Sequence, residues 1–208
     1  MFFMDCSLKK WELALMFGVL CALVLGGWLN QEQAQLADRV IRLHVIANSD
    51  DPQDQALKLA VRDRVLAKAE TLYTADATRE QALEILSSHL PELAREGRAV
   101  VEEWGSDQPV TAQLEQCWFP TKEYEDFALP AGEYTALRIV IGEGEGQNWW
   151  CVAFPPLCLG AASETIQEAT QAGSFTPGQA ALMTGENGGY VLKFKSMELL
   201  GELREHFA

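Results

Sequence analysis

The stretch VIRLHVIANSDDPQDQALKLAVRDRVL, residues 40–66, joins a strand pattern to a helix pattern across one short acidic turn. Its first part is rich in β-branched residues and stops at the turn-forming residues 48–52, which is typical of a strand that ends in a tight turn. Asp51 is placed to cap the following helix, and the carboxylate of Asp54 meets the positive end of that helix. Apolar residues then recur at helical spacing, which predicts a helix over roughly 52–73.

The rest of the chain continues with one more helix and then changes to β patterns. Thr78 and Gln81 form a capping box, so a second helix is predicted over about 79–95, and we expect Gly97 to end it. Strands are predicted in RAVVEEW (98–104), PVTAQLEQCWF (109–119), EYTALRIVIG (133–142) and WWCVAF (149–154). Residues 159–189 predict a mobile insertion with at most short helices, and the C-terminus predicts a strand, YVLKFK (190–195), and a helix, SMELLGELREHF (196–207). This order, without an internal repeat, predicts one α+β domain with a mixed or antiparallel sheet and flanking helices.

The N-terminus differs from this domain. Lys9 and Lys10 precede the apolar run Leu13–Leu29, in which none of the seventeen residues is charged. This length suits either a signal peptide or a short membrane anchor, and the lysines place the N-terminus in the cytoplasm. A good small-x-small cleavage site is missing, which favours an uncleaved anchor. We therefore expect residues 1–37 to be a signal peptide or membrane anchor with a short linker, and residues 38–208 to be an extracytoplasmic domain.

The charge of the chain limits its partners. Its formal net charge is -14, with 48% hydrophobic residues. A domain this acidic is repelled by nucleic acid and by anionic lipid surfaces, so we expect no nucleic-acid partner.

Three cysteines fall in the part that is expected to be exported: Cys117, Cys151 and Cys158. An extracytoplasmic location permits disulfides, so the default pairing is Cys151 with Cys158. A bridge from Cys117 to either of the others stays open at this point.

A catalytic or metal-binding role has little support in the pattern. Cys-x6-Cys lacks a second ligand pair for zinc, and the acidic turn lacks the calcium-loop spacing, so helix capping explains its aspartates better. A thiol enzyme would need a cysteine nucleophile with His44 as its base. On the predicted strand His44 shares a face with Arg42 and Ile46. Its role would be that of a general base, of a pH-sensitive contact or, as we favour, of a structural histidine at a sheet edge. We expect no catalytic residue, no metal and no cofactor.

Two long motifs, IRLHVIANSDDPQDQALKLAVRDRVL (41–66) and WWCVAFPPLC (149–158), together resemble the stage II sporulation protein R family of endospore-forming bacteria. The resemblance implies a signalling protein and not an enzyme, with no small-molecule substrate. Members are exported from the forespore into the space facing the mother cell. There they activate a membrane-embedded aspartic protease, which cleaves the precursor of the mother-cell sigma factor E.

The resemblance also gives the cysteines and aromatic residues a role. A Cys151–Cys158 bridge would close a short loop that a partner can recognise, stabilised by roughly 2 to 3 kcal/mol. The candidate partner-binding residues lie in the two motifs: His44, Asn48, Asp50, Arg62, Trp149, Trp150, Phe154, Pro155 and Pro156. The two tryptophans are as consistent with burial under the insertion as with a binding surface. Two alternatives remain: an extracytoplasmic thiol-dependent or wall-active enzyme using Cys151, Cys158 and His44, and a membrane-anchored scaffold.

Overall fold

A computed structural model of the protein describes residues 10–74, 77–124, 127–158, 162–171 and 173–184. The chain divides into two compact units, Met1–Gln35 and Leu36–Ala208. Helix α1, Lys10–Ala37, carries exposed apolar side chains between Leu13 and Leu20. Among the described residues, no helix combines the length and the apolar character needed to cross a membrane. The membrane segment expected at the N-terminus stays a prediction.

The second unit begins with a strand and two helices, β1 (Ile41–Ile46), α2 (Pro52–Glu70) and α3 (Arg79–Glu103). The described strands that follow are β2 (Val110–Phe119), β3 (Lys122–Glu123), β4 (Ala128–Leu129), β5 (Gly132–Ile141) and β6 (Asn148–Phe154). The last described elements are two short helices, α4 (Ala162–Gln171) and α5 (Pro177–Thr184). They fall within the segment expected to hold at most short helices. The strand and helix predicted at 190–207 lie outside the described residues.

Four of the strands form one sheet in the order β2-β5-β1-β6, and β3 and β4 form a separate hairpin. Strand β1 is parallel to β5 and antiparallel to β6, while β2 is antiparallel to β5. The fold is therefore α+β, with a mixed sheet and flanking helices. Because β1 lies between two strands, His44 is on an inner strand, and the expectation of a sheet-edge histidine was wrong.

The sheet has two differently covered faces. Helices α2 and α3 cover one face, where alternate residues of β1 and β5 are buried, such as Leu43 and Leu137. The opposite face holds Arg42 and a second apolar cluster. The sheet contributes Phe119 and Tyr134 to this cluster, the hairpin Phe127 and Leu129, α4 Ile166 and α5 Met183. Strand alternation thus sends neighbouring residues of β1 into two separate cores.

Helix α3 runs further than the sequence pattern indicated. The strand predicted at 98–104 and the helix end predicted at Gly97 were both wrong, because α3 continues to Glu103. A Cβ atom at Gly97 would lie 2.9 Å from a methyl group of Val110, so this glycine lets the helix approach β2. The residue that terminates the helix is Gly105, just beyond the C-cap Trp104, where φ is +73° and the amide donates to the Glu102 carbonyl.

Candidate functional site

The structure brings the two sequence motifs together at one end of the sheet. Strand β1 pairs with β6 so that His44 lies beside Trp150, and Val45 beside Trp149. The turn after β1 and the loop before β6 therefore leave the sheet side by side. This pairing explains why two motifs about one hundred residues apart could carry one function.

The turn and the loop are held together by side chains that were predicted to bind a partner. Asn48 donates from Nδ2 to Asp54 at 2.8 Å, and its Oδ1 accepts from the backbone amide of Glu143 at 3.0 Å. Asp50 accepts from the backbone amide of Gln147 at 2.8 Å. Asn48 and Asp50 thus fix the loop 142–148 against the turn. Their contact with a partner stays a prediction.

Two glycines of this loop are needed for that close approach. A Cβ atom at Gly142, where φ is +60°, would overlap the side chain of Asn48. A Cβ atom at Gly146 would overlap the backbone carbonyl of Ser49. The alternating glycines of GEGEGQN (142–148) therefore serve packing as well as turning.

Asp54 is the centre of this network, and the sequence indicated only a helix-end role for it. Its carboxylate accepts hydrogen bonds from Gln108 at 3.0 Å, Ser49 at 2.6 Å and Asn48 at 2.8 Å. These bonds, led by that from Gln108, hold the pKa of Asp54 below its ordinary value. Asp51 caps α2 as expected, because its side chain accepts from the amide of Gln53.

Lys58 joins α2 to the same loop from inside the protein. Its side chain is buried, and Nζ donates to Gln55 at 2.6 Å and to the Gln147 carbonyl at 2.9 Å. Burial lowers the pKa of Lys58. A lysine followed by apolar residues looked like an ordinary surface position, so the sequence pattern missed this contact.

A positively charged side chain lies against each of the two tryptophan rings of β6. The guanidinium of Arg62, on α2, lies 4.4 Å from the centre of the Trp149 ring, which is 37% exposed. On the other face of β6 the ammonium of Lys122 lies 4.9 Å from the centre of the half-buried Trp150 ring. An exposed ring beside an arginine is a common composition at the centre of protein interfaces. We name Trp149 and Arg62 the tryptophan–arginine patch.

Cys151 and Cys158 form a disulfide, with their Cα atoms 5.7 Å apart. Cys117 lies outside this bridge, and its thiol donates to Glu115 at 3.1 Å. Inside the loop that the bridge closes, Phe154 is buried against Tyr73 and Pro155 is also buried, while Pro156 is half-buried. The bridge therefore fixes the buried end of β6, and of the three predicted loop contacts only Pro156 offers surface to a partner.

Arg42 is a buried cation for which the sequence pattern indicated no functional role. Its guanidinium lies 4.1 Å from the ring centre of Phe119 and 5.0 Å from that of Tyr134. It donates to the Tyr124 hydroxyl at 2.8 Å and, more weakly, to the Cys151 carbonyl at 3.4 Å. Arg42 thus connects the β3–β4 region to β6 on the face of the sheet opposite to the patch. An arginine inside an otherwise apolar strand is the signal that could have indicated it.

His44 lies on the face of the sheet opposite to Cys151, since Cys151 pairs with Leu43 and packs in the core under the helices. It therefore cannot serve as the base of a Cys151 nucleophile, which is also disulfide-bonded. Nε2 of His44 lies 2.9 Å from Oδ1 of Asn148, while Nδ1 has no hydrogen-bond partner in the described structure. Burial lowers the pKa of His44; the charges of Arg138 and Arg42 act in the same direction, and the Asn148 bond and Glu115 oppose them.

The lowered pKa of His44 predicts a pH-dependent stability. Because the folded protein binds this proton more weakly than the unfolded chain, the free energy of unfolding should fall as pH drops below 6.5, the ordinary pKa, towards the lower folded value. The loss should be complete below the folded pKa. Urea unfolding between pH 7.5 and 5 measures it, with His44→Gln expected to remove most of this dependence. His89→Gln is the matched control, and an equal effect of both substitutions would contradict the assignment.

Among the described residues there is no group of three or more histidine, cysteine or acidic side chains arranged to hold a metal ion. The fold and the site define the chain as a disulfide-containing α+β domain with an exposed tryptophan packed against a largely buried arginine that is ion-paired with Asp63. The family described as stage II sporulation protein R (spore_II_R) matches residues 37–164. The chain belongs to this family.

A curated relative, stage II sporulation protein R of Bacillus subtilis (strain 168), is 43% identical over 125 residues. The match covers 60% of this chain and 55% of the relative, so it spans little more than half of that protein's length. No solved structure matches the chain significantly. The relative's name describes a sporulation protein and names no catalysed reaction.

Proposed function

We propose that the protein is an exported sporulation signal from the forespore, which activates the membrane-embedded aspartic protease that processes the pro-sigma-E precursor in the mother cell. Family membership over residues 37–164 is the observation that carries this proposal. The protein acts in the space between forespore and mother cell. Its N-terminal apolar segment directs export and, if it is not cleaved, anchors the protein in the membrane.

The tryptophan–arginine patch is the proposed contact with the protease. Trp149 lies at the exposed start of β6, beside the loop 142–148. That loop is held by the partly buried hydrogen bond from Lys58 to the Gln147 carbonyl and by the surface bond from the Gln147 amide to Asp50. A surface that is rigid before binding loses little conformational freedom when a partner docks. The protein then activates the protease by binding the active conformation of the protease more tightly than the inactive one.

The disulfide supports this surface from within. It constrains the end of β6, and the Cys151 carbonyl in the same strand accepts from Arg42. The two cysteines act as structural residues in this proposal. The thiol-enzyme alternative has lost its geometric basis, because His44 and Cys151 lie on opposite faces of the sheet.

Trp149→Ala tests the proposal directly. Removing an aromatic residue at the centre of an interface typically weakens binding by 2 kcal/mol or more, so we expect about a 30-fold loss of affinity and a strong fall in precursor processing. Immunoblots of the sigma-E precursor in sporulating cells measure processing, and blots of fractionated cells verify that the variant is made and exported.

Trp104→Ala is the matched control, because Trp104 is 43% exposed but lies at the end of α3, outside the patch. It should process the precursor normally. Normal processing by an exported Trp149→Ala protein would remove the patch from the interface. Normal processing in cells that lack the whole protein would contradict the proposed function itself.

A further inference from the structure

Strand β2 is an edge of the sheet. It pairs on one side with β5 over ten residues, Val110–Phe119, in a continuous register. Among the described strands, none lies on its other side. Within the described part of the chain, the outer side of β2 is therefore a row of backbone groups without a partner strand.

The register identifies those groups. The amide of Gly142 donates to the Pro109 carbonyl at 2.8 Å, which makes Pro109 and Gly142 a hydrogen-bonded pair in line with the β2–β5 register. Such pairs alternate along antiparallel strands. The backbone N–H and C=O groups of odd-numbered residues of β2 therefore bond to β5, and those of even-numbered residues point away from β5. The outward residues are Val110, Ala112, Leu114 and Gln116. Their backbone groups make no hydrogen bond to any other described residue.

This edge lacks the usual protection against pairing. Exposed edge strands normally carry a proline, a lysine or a bulge. Residues 110–116 contain no proline or lysine, and their pairing with β5 shows no register shift. Further along, Phe119 is fully buried in the second core cluster, which closes that end of β2. Judged by the residues that the structure describes, the open stretch is thus 110–116.

We propose that this edge pairs with the same edge of a second copy of the chain, antiparallel and about a twofold axis at Gln113. That register uses the whole open stretch and sets Ala112 opposite Leu114 of the other copy. On the opposite face it sets Thr111, a hydroxyl donor, opposite the carboxylate of Glu115, and Gln113 opposite itself. No two carboxylates of β2 face each other, so the stretch is self-complementary.

The net charge of the protein opposes the formation of this dimer. Each copy has a formal net charge of -14, so the two copies repel each other at low ionic strength. Added salt screens this repulsion without weakening backbone hydrogen bonds. Dimerisation should therefore increase several-fold between low and moderate salt.

The test is cysteine cross-linking of the full chain in mild detergent under gentle oxidation. Gln113→Cys should give a disulfide-linked dimer, because the twofold axis brings the two Cβ atoms to about 5 Å from each other. Thr111→Cys is the matched control on the same face of the same strand, and both positions are exposed. The same axis holds the two Cβ atoms of that variant roughly 14 Å apart, beyond disulfide reach.

Dimer formation by Gln113→Cys but not by Thr111→Cys, increasing with salt, is the expected result. Ala112→Pro in the Gln113→Cys background should abolish the cross-link, because it removes an outward amide that the sheet itself does not use. Hydrogen exchange of the inward amides, such as that of Gln113, verifies that this variant still folds. Equal cross-linking at both positions, or none at either, would overturn the proposal.

Hydrogen exchange of the parent chain gives a second readout. The outward amides of Ala112 and Leu114 should be protected only at concentrations where the dimer forms. Protection of these amides at every concentration would mean that the edge is covered within one chain, and the proposed dimer would be wrong. This inference does not depend on the proposed protease partner, since neither measurement involves it.

Discussion

Replacing both Cys151 and Cys158 with alanine is expected to lower the free energy of unfolding by about 2.5 kcal/mol. The two cysteines are separated by seven positions, so their bridge closes a short loop and removes a corresponding amount of chain entropy from the unfolded state. Cys151 is 3% exposed in the core under the helices, so the loss of its sulfur also leaves unfilled space there. Processing of the precursor should fall with it, because the strand that carries Trp149 loses its fixed end.

Urea unfolding, followed by tryptophan fluorescence without reductant, measures this loss. Cys117→Ala is the control, since its half-buried thiol lies outside the bridge, and it should change stability by less than about 1 kcal/mol. Adding reductant to the parent chain should reproduce the effect of the double substitution. A parent chain whose stability is the same with and without reductant would show that the bridge contributes nothing.

Asp54→Asn is expected to destabilise the protein by about 2 kcal/mol, because hydrogen bonds to a charged acceptor are worth more than neutral ones. The substituted amide keeps only one oxygen acceptor, so its NH2 group would face either the donor of Gln108 or the donors of Asn48 and Ser49, all of which now bond to the carboxylate. The lowered pKa of Asp54 adds a pH dependence. Its stabilising contribution is present above the ordinary value of 3.8 and is lost as pH falls through the lower folded value.

Urea unfolding at pH 7 and below pH 4 measures both effects. Asp63→Asn is the matched control, because Asp63 is exposed and forms an ion pair only with neighbouring Arg62 among the described residues, so its loss should be under about 0.5 kcal/mol. Backbone amides of the loop 142–148 should exchange faster in Asp54→Asn, since Asn48 loses one of its two anchors. Equal stability of the two variants would show that the network does not hold the turn.

Local patterns in the sequence predicted those parts of the fold that depend on neighbours along the chain. Strand β1, its turn and helix α2 were predicted correctly, because β-branched composition, an Asp cap and helical spacing all lie within one short stretch. The end of α3 was predicted wrongly. Gly97 resembles a helix-ending glycine as long as its contact with Val110 is not known. The short hairpin of β3 and β4 was missed for a similar reason, since strands of two residues leave almost no pattern.

The sequence indicated some residues of the candidate site but not their arrangement. Spacing and composition drew attention to Asn48, Asp50 and the tryptophans of β6. The roles of Arg42 and Lys58 depend on partners that are more than eighty residues away along the chain, such as Tyr124 and the Gln147 carbonyl. Such pairings follow from the strand order of the sheet, which the local pattern does not encode.

The position of β1 between β5 and β6 has a consequence for how the chain reaches its native state. Strand β1, residues 41–46, can pair only after both neighbouring strands, β5 and β6, have been made, and these end at residues 141 and 154. Folding that depends on such distant pairings is slow, and the apolar strand stays exposed meanwhile. A chain emerging N-terminus first therefore presents β1 to chaperones or to other chains well before its own partners arrive. We therefore expect the native sheet to form late in folding.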